Sequence, residues 1–176
     1  LACAQINPVI ADIQGNTAKI IEQIERAKAA GAAIVVFPEL AVIGYPPMDL
    51  LENDKLISDN LEAVERIAGH ARGIAVVCGY VERDQSCSPP LLNAAAFMYD
   101  GRVQSRHFKS LLPTYDVFDE QRYFSPTQDI FPAEYEGLRI GVTICEDIWN
   151  DKDALSTGEY IEGRRYEIDP VAVLTE

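Results

Sequence analysis

Basic residues are scarce in this 176-residue chain: 15 Lys and Arg stand against 28 Asp and Glu, a formal charge of −13. That balance argues against nucleic acid or an anionic membrane as partner, because neutralising phosphates needs clustered Lys and Arg. Long apolar runs are missing too. None approaches the ~20 residues of a membrane-spanning helix, so no membrane partner is expected. No charged segment followed by an apolar stretch opens the chain, so no secretory signal is read. The first residue, Leu1, already lies inside an apolar run, which reads as a trimmed start. Histidine is limited to two residues, and the four cysteines, Cys3, Cys78, Cys87 and Cys145, form no C-x-x-C pair. Neither a structural zinc site nor any other metal site is expected from such a set. Unpaired thiols fit a reducing cytosol, and the expected localisation is cytoplasmic. Cys3 and Cys78 sit in apolar runs and read as small buried thiols.

What the chain does have is enough apolar residue, 48%, for one well-filled core. Leu1 to Ile6 reads as a strand. Gly15 to Gly31 reads as a helix, with Ile20, Ile21, Ile24 and Ala27 at a 3.6 period and Gly31 as its stop. Ala32 to Phe37 (AAIVVF) is apolar on both parities, as in a strand covered on both faces. Leu56 to Ala71 is a second amphipathic helix, with Leu61, Val64, Ile67 and Ala68 on one stripe. Ile74 to Gly79 is another buried strand. Leu92 to Tyr99 and Val103 to Phe108 are strands joined by Asp100-Gly101, a strong hairpin signal. Ser110 to Gln128 has no period and reads as a long loop. Leu138 to Cys145 (LRIGVTIC) reads as a final strand. There are no repeats or linkers, so one α/β domain is expected, with parallel β-α-β units and an antiparallel hairpin in a mixed sheet.

Three strand ends carry an ionisable residue directly after an apolar run: Glu39, Lys109 and Cys145. Strand ends are where α/β folds place reactive side chains. Taken singly, each has a plainer reading: a solvated Glu, a surface Lys, a core thiol. Together they suit acyl transfer. A Cys thiolate is the nucleophile, a Glu takes its proton, and a Lys supplies positive charge for the thiolate and the oxyanion.

The surrounding text is more specific. FPEL (Phe37 to Leu40), HFKSLLPTYDVFDEQRYF (His107 to Phe124) and GVTICEDIW (Gly141 to Trp149) resemble the nitrilase superfamily of C–N hydrolases. Within it, the stretch after Lys109, with AQINPVIADIQGN near the start and GYPPMDLL in the following loop, resembles the glutaminase domains of glutamine-dependent NAD synthetases. That resemblance implies a four-layer α-β-β-α sandwich, of which these residues are the N-terminal part, truncated before the strands that complete the second sheet. It implies a catalytic Glu39–Lys109–Cys145 triad that hydrolyses the side-chain amide of glutamine through a thioester. The N–H of Glu146 is then the expected oxyanion donor. Tyr115, Phe118, Glu120 and Glu146 are the candidate substrate-binding residues, Glu120 also being a candidate extra glutamate beside the triad. The plainer readings are loop anchoring for the aromatics, an ion pair with Arg122 for Glu120, and capping for Glu146 and Asp147. His107 reads as structural.

The resemblance also implies no cofactor for the glutaminase step. ATP and magnesium belong to a synthetase domain of the same full-length protein, since no Ser-Gly-Gly phosphate loop occurs in these residues. Glutamine, that synthetase domain and a second copy of the chain are the expected partners. The rival within the superfamily is an amidase for another small carboxamide. A papain-like Cys145–His107 pair lacks a signature around Cys145 and a partner for His107. A Cys-x5-Arg phosphatase loop fails at Asp151.

Overall fold

The computed structural model describes residues 1–150 and 166–176. The first helix, α1 (Ile13–Ala29), begins two residues earlier than its hydrophobic period suggests, because the Asp12 carboxylate accepts from the N–H of Gly15 at 2.9 Å and caps it. Its end is Gly31, whose φ of +75° is a left-handed conformation that glycine adopts freely. In the same way Asn53 accepts from the N–H groups of Lys55 and Leu56, so α2 runs over Asp54–Ala68. Ile20, Ile24 and Ala27 of α1, with Ile57, Val64 and Ile67 of α2, face one core.

Among the described residues there are seven strands: β1 (Ala2–Cys3), β2 (Ile34–Val36), β3 (Ala75–Arg83), β4 (Leu91–Tyr99), β5 (Arg102–Phe108), β6 (Ala133–Tyr135) and β7 (Leu138–Ile140). The first five form one sheet in sequence order. β1, β2 and β3 are parallel; β3, β4 and β5 are antiparallel. The mixed sheet is thus as the sequence implied. Asp100 and Gly101 both have positive φ, +54° and +77°, and close the β4–β5 hairpin tightly. Asn60 of α2 ties helix to sheet, donating to the carbonyl of Val81 at 2.6 Å and accepting from its N–H at 3.2 Å.

Both faces of the sheet are covered. Val35, Val76, Cys78, Tyr80, Ala94, Ala96 and Met98 point at the helices. Ala75, Val77, Ala95 and Phe97 point the other way, onto Ala133, Tyr135 and Ile144. That second layer is a two-stranded antiparallel sheet, β6–β7. The Tyr135 ring meets Phe97 and Tyr99 edge-on, with centroids 6.1 and 5.0 Å apart. A last helix, α3 (Pro170–Thr175), is capped by Asp169. No helix among the described residues is long and apolar enough to cross a membrane.

Two expectations are corrected. The strand expected over Leu138 to Cys145 ends at Ile140. It pairs with β6 through a Glu136-Gly137 turn, and beyond Ile140 the chain leaves that ladder for a 3-10 turn, Cys145–Ile148. β6 itself is three residues long and follows Pro132, too short to register as a period. Cys78 is buried, but Cys3 is exposed, because β1 is an edge strand only two residues long.

Candidate active site

Glu39 reaches the site because the chain crosses β3 at close quarters. The Phe37 N–H donates to the Val77 carbonyl and the Val42 N–H to the Gly79 carbonyl, laying the segment along β3. At Gly79 there is no room for a side chain: a Cβ would sit 2.6 Å from the Pro38 oxygen and 2.8 Å from the Glu39 carbonyl carbon. Leu40 to Ile43 then pack into the helix-side core.

Lys109 follows β5, and its N–H donates to the carbonyl of Asn93 on β4 at 2.8 Å. Its side chain is fully buried between two carboxylates. The ammonium donates to Oε1 of Glu39 at 2.7 Å and to Oε1 and Oε2 of Glu120 at 3.0 and 2.8 Å. Burial opposes the Lys109 charge, but Glu39 and Glu120 outweigh it, and its pKa is raised. Glu120 also moves up: its burial dominates over the attraction of Lys109, and Glu39 adds repulsion. One ammonium shared by the buried Glu120 and the partly buried Glu39 explains why Lys109 and Glu120 both move upward. The Tyr45 hydroxyl supports Glu120, donating to Oε1 at 3.0 Å.

Cys145 opens the 3-10 turn with a φ of +48°, in the left-handed region that side chains rarely adopt. Cys145 is exposed at the cleft, but the walls around its sulfur remove part of its water: its pKa is pushed up to about 11, first by this partial desolvation and next by Glu39, with Lys109 pulling the other way. The thiol is therefore held protonated. The Lys109 ammonium is hydrogen-bonded to the two carboxylates. Glu39 and Cys145 face the same cleft, which makes Glu39 the candidate base for the thiol.

The turn is pinned by Asp147. Oδ1 accepts from the N–H groups of Ser110 and Leu111, and Oδ2 from the N–H of Ile144. Asp147 is thus a backbone cap, as its plainer reading held, and it joins the Lys109 loop to the Cys145 turn. Glu146 is buried and held at both oxygens: Tyr115 donates at 2.8 Å and Tyr166 at 3.0 Å.

The structure brings Glu39, Lys109 and Cys145 together. Glu39 and Cys145 line a cleft of about 380 Å3 with Gly79, Ala95 and Val142. Phe118 lines a different cleft, of about 300 Å3, whose wall includes Tyr45 and Glu120, and its ring packs near Tyr115. Tyr115 is anchored on Glu146. Glu120 pairs with Lys109 and not with Arg122, so it belongs to the Lys109 cluster. His107 is buried, bonded to Ser105 at 2.9 Å and packed on Phe131, with its pKa lowered by burial. It is structural, as the sequence suggested.

Sequence reasoning missed Asn93, Tyr45 and Tyr166. Asn93 donates to Oε1 of Glu39 at 2.7 Å. Its signal was present: an amide inside the apolar run LLNAAAFMY asks for a partner. Tyr45 and Tyr166 gave no such signal. Among the described residues there is no cluster of His, Cys, Asp and Glu able to hold a metal ion.

Residues 1–159 match the carbon-nitrogen hydrolase family, and the chain belongs to it. Within that class it is similar to the glutamine-dependent NAD(+) synthetase of Thermotoga maritima, at 39% identity over 161 residues, 89% of this chain and 27% of the relative. It is similar in structure to the glutamine-dependent NAD+ synthetase of Acinetobacter baumannii, with a TM-score of 0.77 and 42% identity over 83% of this chain and 27% of that one. An amidase from Nesterenkonia sp., at 24% identity and a TM-score of 0.67 over 83% of this chain and 55% of that one, shares the fold. The chain thus spans about a quarter of the length of the synthetases it matches.

Proposed function

We propose that residues 1–176 are the N-terminal part of the glutamine-hydrolysing domain of a longer glutamine-dependent NAD synthetase. The observation that carries this reading is the meeting of Glu39 and Lys109 at 2.7 Å beside the Cys145 turn, next to a carboxylate held by two tyrosines.

Glu39 takes the proton of the Cys145 thiol as the sulfur attacks the side-chain amide carbon of glutamine. The carbonyl electrons move onto oxygen. That oxyanion is met by the backbone N–H of Glu146, next to the nucleophile, in the field of the fixed Lys109 charge. Collapse breaks the C–N bond, Glu39 returns its proton to the departing nitrogen, and ammonia leaves. A γ-glutamyl thioester remains on Cys145. Water then attacks this thioester, giving a proton to Glu39. Glutamate departs as the sulfur regains that proton. Glu120 holds Lys109 in place throughout. Glu146 offers its carboxylate to the α-ammonium of glutamine, and Tyr115 and Phe118 wall the pocket.

The glutaminase step uses no cofactor in this reading. The ammonia serves an ATP- and magnesium-dependent amidation of nicotinic acid adenine dinucleotide on a synthetase domain of the same protein.

The test uses the full-length protein. Cys145→Ala is expected to abolish glutamine-dependent NAD synthesis and leave synthesis from free ammonia largely intact. Loss of both together would make Cys145 structural. A protein that hydrolyses short aliphatic amides and ignores glutamine would instead be another nitrilase-superfamily amidase.

A further inference from the structure

Asn93 sits at a junction that the reaction scheme does not use. Its backbone carbonyl accepts from the N–H of Lys109, and its side-chain amide donates to Oε1 of Glu39 at 2.7 Å. One strand residue therefore touches both members of the Glu39–Lys109 pair. The side chain is almost wholly buried, 1% exposed, in a strand whose neighbours are Leu, Ala and Phe. Its own oxygen, Oδ1, has no hydrogen-bond partner among the described residues. Burying an unpaired carbonyl is unfavourable, and an apolar residue of similar volume would avoid the penalty. The orientation is set by Glu39, since the reversed amide would aim an oxygen at a carboxylate.

The second donor on Oε1 is the Lys109 ammonium, also at 2.7 Å. A carboxylate oxygen offers two lone-pair directions, and here both are filled by donors. The other oxygen, Oε2, is then the one left to accept a proton.

We propose that Asn93 is a positioning residue that, together with Lys109, saturates Oε1 of Glu39 and so assigns Oε2 as the atom that takes the Cys145 proton. The proton moves from Sγ to Oε2 as the S–C bond forms and returns from Oε2 to the leaving nitrogen. Without the amide, the carboxylate turns about its terminal torsion and presents either oxygen at varying distance. Misplacement of a base on that scale is costly to rate while leaving the substrate's contacts intact. This inference rests on the reading of Glu39 as the base.

The experiment measures glutamate release and thermal unfolding for the full-length protein carrying Asn93→Leu, Asn93→Asp or Glu39→Gln. Leu removes the donor together with the unpaired acceptor. The expected result for Asn93→Leu is a kcat lower by about 10- to 100-fold, a KM for glutamine within about 3-fold, and a melting temperature that does not fall. Wild-type kcat would overturn the proposal. So would a lower melting temperature with KM and kcat changed alike, because that pattern marks a structural role. If the Leu variant fails to fold, the Asp variant decides. It keeps the shape and, when ionised, lacks the donor, and the same split between kcat and KM is expected. Glu39→Gln separates the two claims. If it is inactive while both Asn93 variants turn over normally, only the Asn93 assignment fails. If it remains active, the reading of Glu39 as base fails first.

Discussion

The Lys109 ammonium donates to Glu39 at 2.7 Å across 70 residues of sequence, with Lys109 fully buried and Glu39 partly so. Neither residue reaches the other locally. β2 carries Glu39 to one strand end, β5 carries Lys109 to another, and β3 and β4 lie between them in the sheet. The charge is not free to activate the thiol, because Glu120 engages it from the other side at 2.8 Å. In the resting site Lys109 thus organises the two carboxylates, as the proposed role of Glu39 as base requires.

Lys109→Met leaves the buried Glu120, with the partly buried Glu39 beside it, without a cation. Removing one partner of a buried pair costs about 3–5 kcal/mol, and a loss of that order is expected in unfolding of the full-length protein at neutral pH. Lys109→Arg keeps the charge, but its planar fork is longer than the slot between Glu39 and Glu120. Glutamate release should fall at least ~100-fold in both variants. Near-wild-type turnover for the Arg variant would show that the site needs charge alone.

The raised thiol gives a pH dependence. With Cys145 at about 11 against an ordinary 9.0, alkylation of the ligand-free protein by iodoacetamide should keep rising above pH 9 and level off only near 11. The folded state holds this proton more tightly than the unfolded chain does. The associated stability is therefore fully present below pH 9.0 and is lost as pH rises to about 11. Mass spectrometry of the Cys145 peptide reads the alkylation. A plateau near pH 7 would mean that Lys109 stabilises the thiolate directly.

Gly79→Ala tests the crossing that delivers Glu39. The new methyl would lie 2.6 Å from the Pro38 oxygen, a backbone atom that cannot swing away. A loss of about 1–3 kcal/mol in stability is expected, as for other overpacked cores, with glutaminase activity falling further than the unfolded fraction explains. Activity unchanged per folded molecule would detach Gly79 from the placement of Glu39.

Tyr115→Phe removes one of the two hydroxyls that hold Glu146. A hydrogen bond to a charged group is worth about 1.5–3 kcal/mol, so the KM for glutamine should rise by about tenfold or more with a smaller change in kcat. Saturation kinetics on the full-length protein measure it. A pure kcat defect would place Glu146 in the chemical step.

Much of this molecule was legible before folding. The 3.6 period in α1 and α2, the two-sided apolar strands and the Asp100-Gly101 turn are local signals, each decided by a few neighbouring residues. Glu39, Lys109 and Cys145 were legible as candidates, because each directly follows a segment that reads as a strand. Helix starts shifted by two residues, since Asp12 and Asn53 act as caps through side chains that a hydrophobic count ignores. β6 and the early end of β7 escaped notice, because a three-residue strand is held by its partner rather than by its own pattern.

The partnerships belong to the tertiary structure. Asn93 meets Glu39 over 54 residues, Tyr45 meets Glu120 over 75, and Asp147 meets Ser110 over 37. Such bonds depend on sheet register, and a one-residue slip in β4 would turn Asn93 to the opposite face. The sequence determined by itself the two amphipathic helices, the two-sided strands and the hairpin turn, since propensity and turn chemistry act within a few residues. Only the packed sheet decided which oxygen of Glu39 is occupied, which charge Lys109 balances and what holds Glu146, because those are distances between side chains that the chain brings together from far apart.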